Sequence, residues 1–158
     1  MGVALTYVPI TAVPVEIARR IVAEAHQLGT SREWWCEALH FTDETSLEGS
    51  TKIFLPGYSI EGGGYREVDV EDDSLMAAFD ASFILDTLAS WSRQFDISWS
   101  IGADGGEIGE VSSEGPDPEL LGMVAAVATN GEFGELPSFD TKRIADIQKK
   151  YADRLERW

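Results

Sequence analysis

The sequence predicts an α+β domain: a two-layer sandwich with an antiparallel or mixed sheet of about five strands and helices packed mainly on one face. Segments of helical and strand periodicity follow one another along the 158 residues. Two pairs of predicted strands are joined by short turns, which antiparallel neighbours allow and parallel neighbours do not. The predicted helices carry apolar stripes that a sheet would cover. The chain length fits a single domain, 1–158.

The first two predicted elements are a strand and a helix. Residues 3–8 are rich in side chains that favour strands, and Pro9 ends this strand. Pro14 suits the first turn of a helix. Apolar residues then recur at helical spacing, which predicts a helix over about residues 14–28 with Gly29 as its C-terminal cap.

The middle of the chain is less regular. Residues 34–41 are ambiguous, because their aromatic content favours a strand whereas Glu37 to Leu39 allow a helical turn. Residues 51–55 predict a strand. The three glycines at 62–64 predict a turn that leads into residues 65–70.

The second half of the chain predicts two strands and three helices. Residues 72–94 begin with acidic residues that favour a helix N-terminus, and their apolar character predicts a central core helix. Residues 95–101 alternate between apolar and polar side chains, which predicts a half-buried strand, and residues 107–112 return as its neighbour. Residues 118–129 predict a helix, and about residues 140–158 predict a basic amphipathic helix.

The net charge of −16 is unevenly distributed. The last 18 residues contain six basic and three acidic residues, so residues 1–140 carry a net charge of −19. Such a surface repels nucleic-acid phosphates and anionic membranes. It attracts a basic protein and accelerates the encounter. We therefore expect a basic protein as partner, and neither nucleic acid nor membrane, unless the acidity serves solubility alone. The sequence leaves the oligomeric state open.

The cysteine content and the N-terminus bear on location. Cys36 is the only cysteine, so no intrachain disulfide forms. Residues 1–10 lack a basic region and a long apolar run, unlike a signal peptide. Asp80 and Asp86 interrupt the longest apolar stretch, so no segment is expected to span a bilayer. These features predict a cytoplasmic protein.

Two spacings around Cys36 invite a chemical interpretation. Cys36 and His40 lie four residues apart, which would place a thiol beside a base, but a lone cysteine next to tryptophans is more often a packed hydrophobe. Glu37 and His40 match half of a di-iron motif, whose second copy the sequence lacks. A zinc site that included His26 would lack paired ligand spacing. We therefore predict no catalytic residue, no metal site and no cofactor.

Two further segments resemble ligand-binding loops only loosely. The acidic run over residues 67–73 could attract calcium, but it lacks the EF-hand pattern, and a solvated helix start explains it better. The glycine-rich residues 60–65 lack the ending of a phosphate-binding loop and have acidic neighbours. We interpret them as a turn.

Aromatic and acidic residues together give the most specific prediction. Aromatic anchors ringed by carboxylates are what an interface with a basic protein would use. Adjacent strand residues face opposite sides, so at least one of the tandem tryptophans is expected in the core and the other faces solvent or a partner. The predicted partner-binding residues are Trp34, Trp35, Glu37, Asp43, Glu44, Glu48, Tyr58, Glu67, Asp69 and Glu71.

The leading functional hypothesis is a non-enzymatic, acidic protein-binding protein that captures a basic partner. A bacterial immunity-type protein that inhibits a toxin by covering its cationic active site is a concrete version. The alternative is a small enzyme or ligand-binding domain with a carboxylate-lined pocket. A third possibility gives the basic C-terminal helix a docking role, either on the acidic body of its own chain or on a second copy.

Overall fold

The computed structural model describes residues 2–54, 69–104, 106–129 and 138–152. These ranges contain six strands and four helices. For Gly2 and Phe54 the description covers the backbone alone. In chain order, the elements are β1 (Gly2–Pro9), α1 (Val15–Ser31), β2 (Phe41–Asp43), β3 (Glu48–Phe54), α2 (Val70–Phe95), β4 (Trp99–Ala103), β5 (Gly106–Ser112), β6 (Gly115–Pro116), α3 (Pro118–Ala128) and α4 (Thr141–Lys150).

The strands form one sheet in the order β2-β3-β1-β4-β5-β6, and every neighbouring pair is antiparallel. This confirms the predicted α+β class and its antiparallel sheet, with one more strand than expected. The first four strands and the first two helices follow the split βαβ, or ferredoxin-like, topology, with β1 and β3 in the centre. Strands β5 and β6 extend the sheet beyond β4. The packing of the helices mainly on one face stays a prediction.

Alternation along the strands gives the sheet a buried face. Leu5 and Tyr7 of β1 are buried, as are Trp99 and Ile101 of β4, whereas the residues between them are partly exposed. Tyr7 lies opposite Ile101 on one side and Gly49 of β3 on the other. Buried residues from all four helices belong to the same hydrophobic cluster as this face.

Gly49 lies where no side chain fits, because a Cβ atom there would overlap the ring of Tyr7. We expect Gly49→Ala to lower the free energy of unfolding by about 2 kcal/mol, since overpacking a dense core forces neighbouring groups to move. The matched control is Gly29→Ala in α1, where no atom lies within 4 Å of the new Cβ. That change should stabilise the helix by about 0.5–1 kcal/mol. Urea unfolding measures the free energy of unfolding of both variants. Equal changes in the two would contradict the close contact between Gly49 and the Tyr7 ring.

Helix α2 spans 26 residues and is buried over much of its length, which confirms the predicted core helix. It begins at Val70, two residues before the predicted start, because the Asp69 side chain accepts a hydrogen bond from the Glu71 N–H and caps the helix. It ends at Phe95, and Asp96 follows in the left-handed conformation. The predicted strand start at residue 95 is therefore wrong, and β4 begins at Trp99.

Other predicted boundaries also differ from the structure. Helix α1 continues through Gly29 to Ser31, so Gly29 is not its cap. Residues 34–40 are neither strand nor helix, and only Phe41–Asp43 pairs as a short strand. The Asp140 side chain caps α4 by accepting a hydrogen bond from the Lys142 N–H. Residues 153–158 of the predicted terminal helix lie outside the described residues. None of the helices in the described ranges is long and apolar enough to cross a membrane.

Candidate interaction site

A buried carboxylate fixes the irregular segment that carries the two predicted tryptophans. Asp80 of α2 is 1% exposed. Its Oδ1 accepts a hydrogen bond from Arg32 Nη1 at 2.9 Å. Its Oδ2 accepts the backbone N–H groups of Trp35 at 2.8 Å and Cys36 at 2.7 Å. Burial raises the pKa of Asp80, and the Arg32 charge together with these hydrogen bonds opposes that rise.

Arg32 is enclosed by aromatic rings as well as paired with Asp80. Its guanidinium carbon lies 4.1 Å from the ring centroid of Phe83, 4.4 Å from that of Trp34 and 5.1 Å from that of Phe79. The Trp34 indole N–H donates to the Leu28 carbonyl at the end of α1. Trp34 is thus held half-buried against both helices, with part of its surface open to solvent.

Trp35 is the tryptophan that packs in the core. It is 3% exposed, and its indole N–H donates to Asp73 Oδ1 at 2.7 Å. Its ring meets the edge of Tyr151 at 5.7 Å between centroids. A buried ring offers no surface to a partner, so of the two predicted tryptophan anchors only Trp34 has exposed surface in this conformation.

Cys36 and His40 differ in exposure to solvent. Cys36 is buried, and its backbone N–H donates to Asp80 Oδ2. The His40 ring is partly exposed and contacts the Ala38 carbonyl at 2.9 Å and the Glu37 carboxylate at 3.3 Å. Glu37 also accepts the backbone N–H of Lys52. These contacts give Glu37 and His40 a structural role next to β3.

The turn between β2 and β3 gathers three of the predicted acidic residues, Asp43, Glu44 and Glu48, which we call the acidic hairpin. Asp43 and Glu48 are paired in the strand register, next to an irregularity between Phe41 and Asp43. Asp43 Oδ1 accepts the backbone N–H groups of Thr45 and Ser46 and so stabilises the turn. Glu44 contacts the exposed ring of His26 at 2.9 Å. All three acidic residues are exposed, and β2 is an edge strand of the sheet.

An apolar cavity adjoins the acidic hairpin. It measures about 480 Å³ and lies between α1 and the turn, where Glu44 and Thr45 form one wall. Val15, at the start of α1, is 63% exposed beside it. The rest of the lining comes from one side of α1 and consists of Ala18, Arg19, Val22, Ala23 and His26.

The predicted residues Asp69 and Glu71 lie elsewhere, at the exposed N-terminus of α2. Next to them, α4 packs against the start of α2: the Tyr151 hydroxyl donates to Asp72 Oδ2 at 3.1 Å, and Lys150 Nζ lies 3.4 Å from the same atom. Two residues at the end of the basic helix therefore contact an acidic residue of their own chain. A docking role for this helix stays a prediction. The remaining two predicted residues, Tyr58 and Glu67, lie outside the described residues.

Sequence reasoning missed a groove between α1 and α2. It measures about 560 Å³. Polar residues at helical spacing on α1 were the available signal, but the matching face of α2 could not be identified without the packing of the two helices. We call this cavity the α1–α2 groove, and its lining is Glu24, Gln27, Leu28, Ser31, Asp86, Thr87, Ser90 and Trp91.

Two carboxylates give the α1–α2 groove its charge. Glu24 Oε2 accepts the indole N–H of Trp91 at 2.5 Å, which fixes this carboxylate in the wall. Partial burial raises the pKa of Asp86, and the charge of Arg93 opposes the rise. No Lys, Arg or His is among the lining residues that the structure describes.

Neither a metal site in the described residues nor a similar known protein indicates a function. In the described part of the chain, no three His, Cys, Asp or Glu side chains are grouped so that they could hold a metal ion. No protein-family model, no curated protein and no solved structure matches the chain. The acidic hairpin and the α1–α2 groove are therefore the two features of the described chain that bear on function.

Proposed function

We propose that this protein is a non-enzymatic binding protein that captures a basic partner protein at the acidic hairpin. The observation that carries the proposal is the cross-strand pair of Asp43 and Glu48. Like charges directly opposite each other destabilise a strand pair. Among the described residues, neither carboxylate has a cation beside it. A cationic partner would remove this repulsion on binding.

The surroundings of the acidic hairpin suit a protein interface. Interfaces combine an apolar centre with a polar rim. The cavity beside Val15 supplies apolar surface, and Glu44 of the acidic hairpin supplies charge in its wall. Charge complementarity of this kind accelerates association and makes it dependent on salt. An immunity-type protein that covers the cationic site of a bacterial toxin is the concrete version of this function.

Removing the charges of the acidic hairpin should abolish capture. We expect the variant Asp43→Asn/Glu44→Gln/Glu48→Gln to lose a partner that the unmodified protein retains at about 0.05 M salt and releases at about 0.5 M. Asn at position 43 keeps the oxygen that caps the turn, so the fold should persist. To measure the effect, each variant is immobilised and exposed to a lysate of the host cells, and the amount of eluted partner is quantified.

The matched control removes three exposed charges from another part of the sheet, in the variant Glu107→Gln/Glu110→Gln/Glu114→Gln. Its net charge equals that of the hairpin variant, so the two differ only in where the charges were removed. Capture should persist in the control. Equal losses in both variants, or capture that ignores ionic strength, would refute a specific site at the acidic hairpin.

The α1–α2 groove favours a second candidate function, a ligand-binding domain with a carboxylate-lined pocket. Its volume lies within the roughly 300–1,000 Å³ of small-molecule sites, and the raised pKa of Asp86 is a feature that active sites share. A small cationic metabolite that binds there with high affinity, while protein capture is absent, would favour this alternative over the interface.

A further inference from the structure

We infer that the α1–α2 groove receives an arginine side chain of the basic partner. This inference rests on the proposed function, because the acidic hairpin and the groove would then contact the same partner. The groove is large enough for a side chain with adjoining backbone, at about 560 Å³. It opens between two helices that the hydrophobic core holds in place, so the receptor is formed before binding.

Charge complementarity selects the occupant. Glu24 on α1 and Asp86 on α2 both line the groove. Glu24 uses Oε2 to accept from Trp91, and its Oε1 has no hydrogen-bond partner among the described residues. A cation between the helices would thus meet a carboxylate from each of them.

The nearby basic residues of the chain are engaged elsewhere. Arg20 stacks on Phe95 at 5.0 Å from its ring centroid. Arg32 is committed to Asp80. Arg93 donates through Nε to the Ser113 carbonyl at 3.0 Å, and its charge reaches Asp86 without forming an ion pair with it. In the part of the chain that the structure describes, the groove carboxylates therefore form no ion pair.

The remaining lining favours arginine over lysine. A guanidinium presents five N–H donors in a planar fork, whereas an ammonium is a compact and strongly hydrated charge. Besides the two carboxylates, the groove offers side-chain oxygen acceptors from Gln27, Ser31 and Ser90. Several acceptors spread over the two walls can each accept from a different N–H of a guanidinium, whereas an ammonium would reach fewer of them. Asp86 is exposed, but partial desolvation in the groove raises its pKa, and an incoming cation would offset that loss of solvation.

The test uses three acetylated and amidated tetrapeptides, of arginine, of lysine and of the neutral isostere citrulline, at low ionic strength. Calorimetry gives the affinity, and NMR follows the indole N–H resonance of Trp91, which is identified by its loss in Trp91→Phe. We expect tetra-arginine to bind most tightly of the three and to shift this resonance. The citrulline peptide should neither bind nor shift it. The variant Glu24→Gln/Asp86→Asn should weaken tetra-arginine binding by about tenfold.

The controls separate this inference from the proposed function. The variant Glu107→Gln/Glu110→Gln has the same net charge as the groove variant and should change the affinity less than about twofold. Glutamine at position 24 still accepts from Trp91, so thermal unfolding should confirm an intact fold. No binding of tetra-arginine, equal affinity for tetralysine, or equal effects of the groove variant and its control would overturn the arginine site. Loss of partner capture in the hairpin variant would still support the proposed function in that case.

Discussion

Replacing Asp80 with alanine is expected to lower the free energy of unfolding by about 3–5 kcal/mol, the range for removing one partner of a buried ion pair. The change leaves the Arg32 charge without its counter-ion, and the Arg32 side chain is only 14% exposed. It also leaves the N–H groups of Trp35 and Cys36 without their acceptor. Urea unfolding followed by tryptophan fluorescence measures the loss.

Three comparisons make the Asp80 prediction specific. Asp86→Ala removes an exposed carboxylate from the same helix and should change stability by no more than about 0.5 kcal/mol. Arg32→Met should cost less than Asp80→Ala, because burial already raises the pKa of Asp80 and the unpaired carboxyl can take up a proton. The double variant Asp80→Leu/Arg32→Met should recover much of the loss, since an apolar pair can replace a buried ion pair. A double variant whose loss equals the sum of the losses in Asp80→Leu alone and Arg32→Met alone would show that the pair is not coupled.

Asp80 also explains why the sequence could not predict residues 34–40. Their aromatic content favoured a strand, but the backbone N–H groups of Trp35 and Cys36 bind a carboxylate more than 40 positions later in the chain. No local pattern reveals such a partner. Periodicity did identify β1, α1 and the core helix α2, because burial along those elements repeats at a fixed spacing.

Errors at element ends have local physical causes. A glycine near a helix end is often a cap, yet α1 continues two residues beyond Gly29. Phe95 alternates with Ile97 as a strand residue would, but it is the last residue of α2. Asp43, Glu44 and Glu48 were predicted as acidic neighbours of the aromatic residues, and no hairpin was predicted there. The opposition of Asp43 to Glu48, and the α1–α2 groove, depend on register and helix packing, which the sequence does not reveal.

The Tyr7 hydroxyl fastens the segment before the acidic hairpin to the sheet. It donates to the His40 carbonyl at 2.6 Å and accepts the His40 N–H at 3.1 Å, and it lies 2.8 Å from Thr51 Oγ1. Tyr7→Phe leaves these buried groups without the hydroxyl. We therefore expect a loss of about 1–3 kcal/mol in the free energy of unfolding at neutral pH.

The same residue predicts loss of stability in alkali. Burial raises the pKa of Tyr7 from 10.0 to about 12, although hydrogen bonds to Thr51 and His40 oppose the rise. Between these two values the unfolded chain releases the phenol proton and the folded chain keeps it. The unfolded state thus binds fewer protons, so the free energy of unfolding falls as pH rises through this window. Two pKa units correspond to about 2–3 kcal/mol.

Comparing the unmodified protein with Tyr7→Phe isolates this effect, because the other tyrosines titrate in both. Denaturant unfolding from pH 9 to about pH 12 should show the stability advantage of the unmodified protein shrinking as Tyr7 ionises in the unfolded chain. A constant difference across this range would mean that Tyr7 titrates alike in both states. The hydroxyl would then not be buried, and the attachment of residues 38–40 to the sheet would need another explanation.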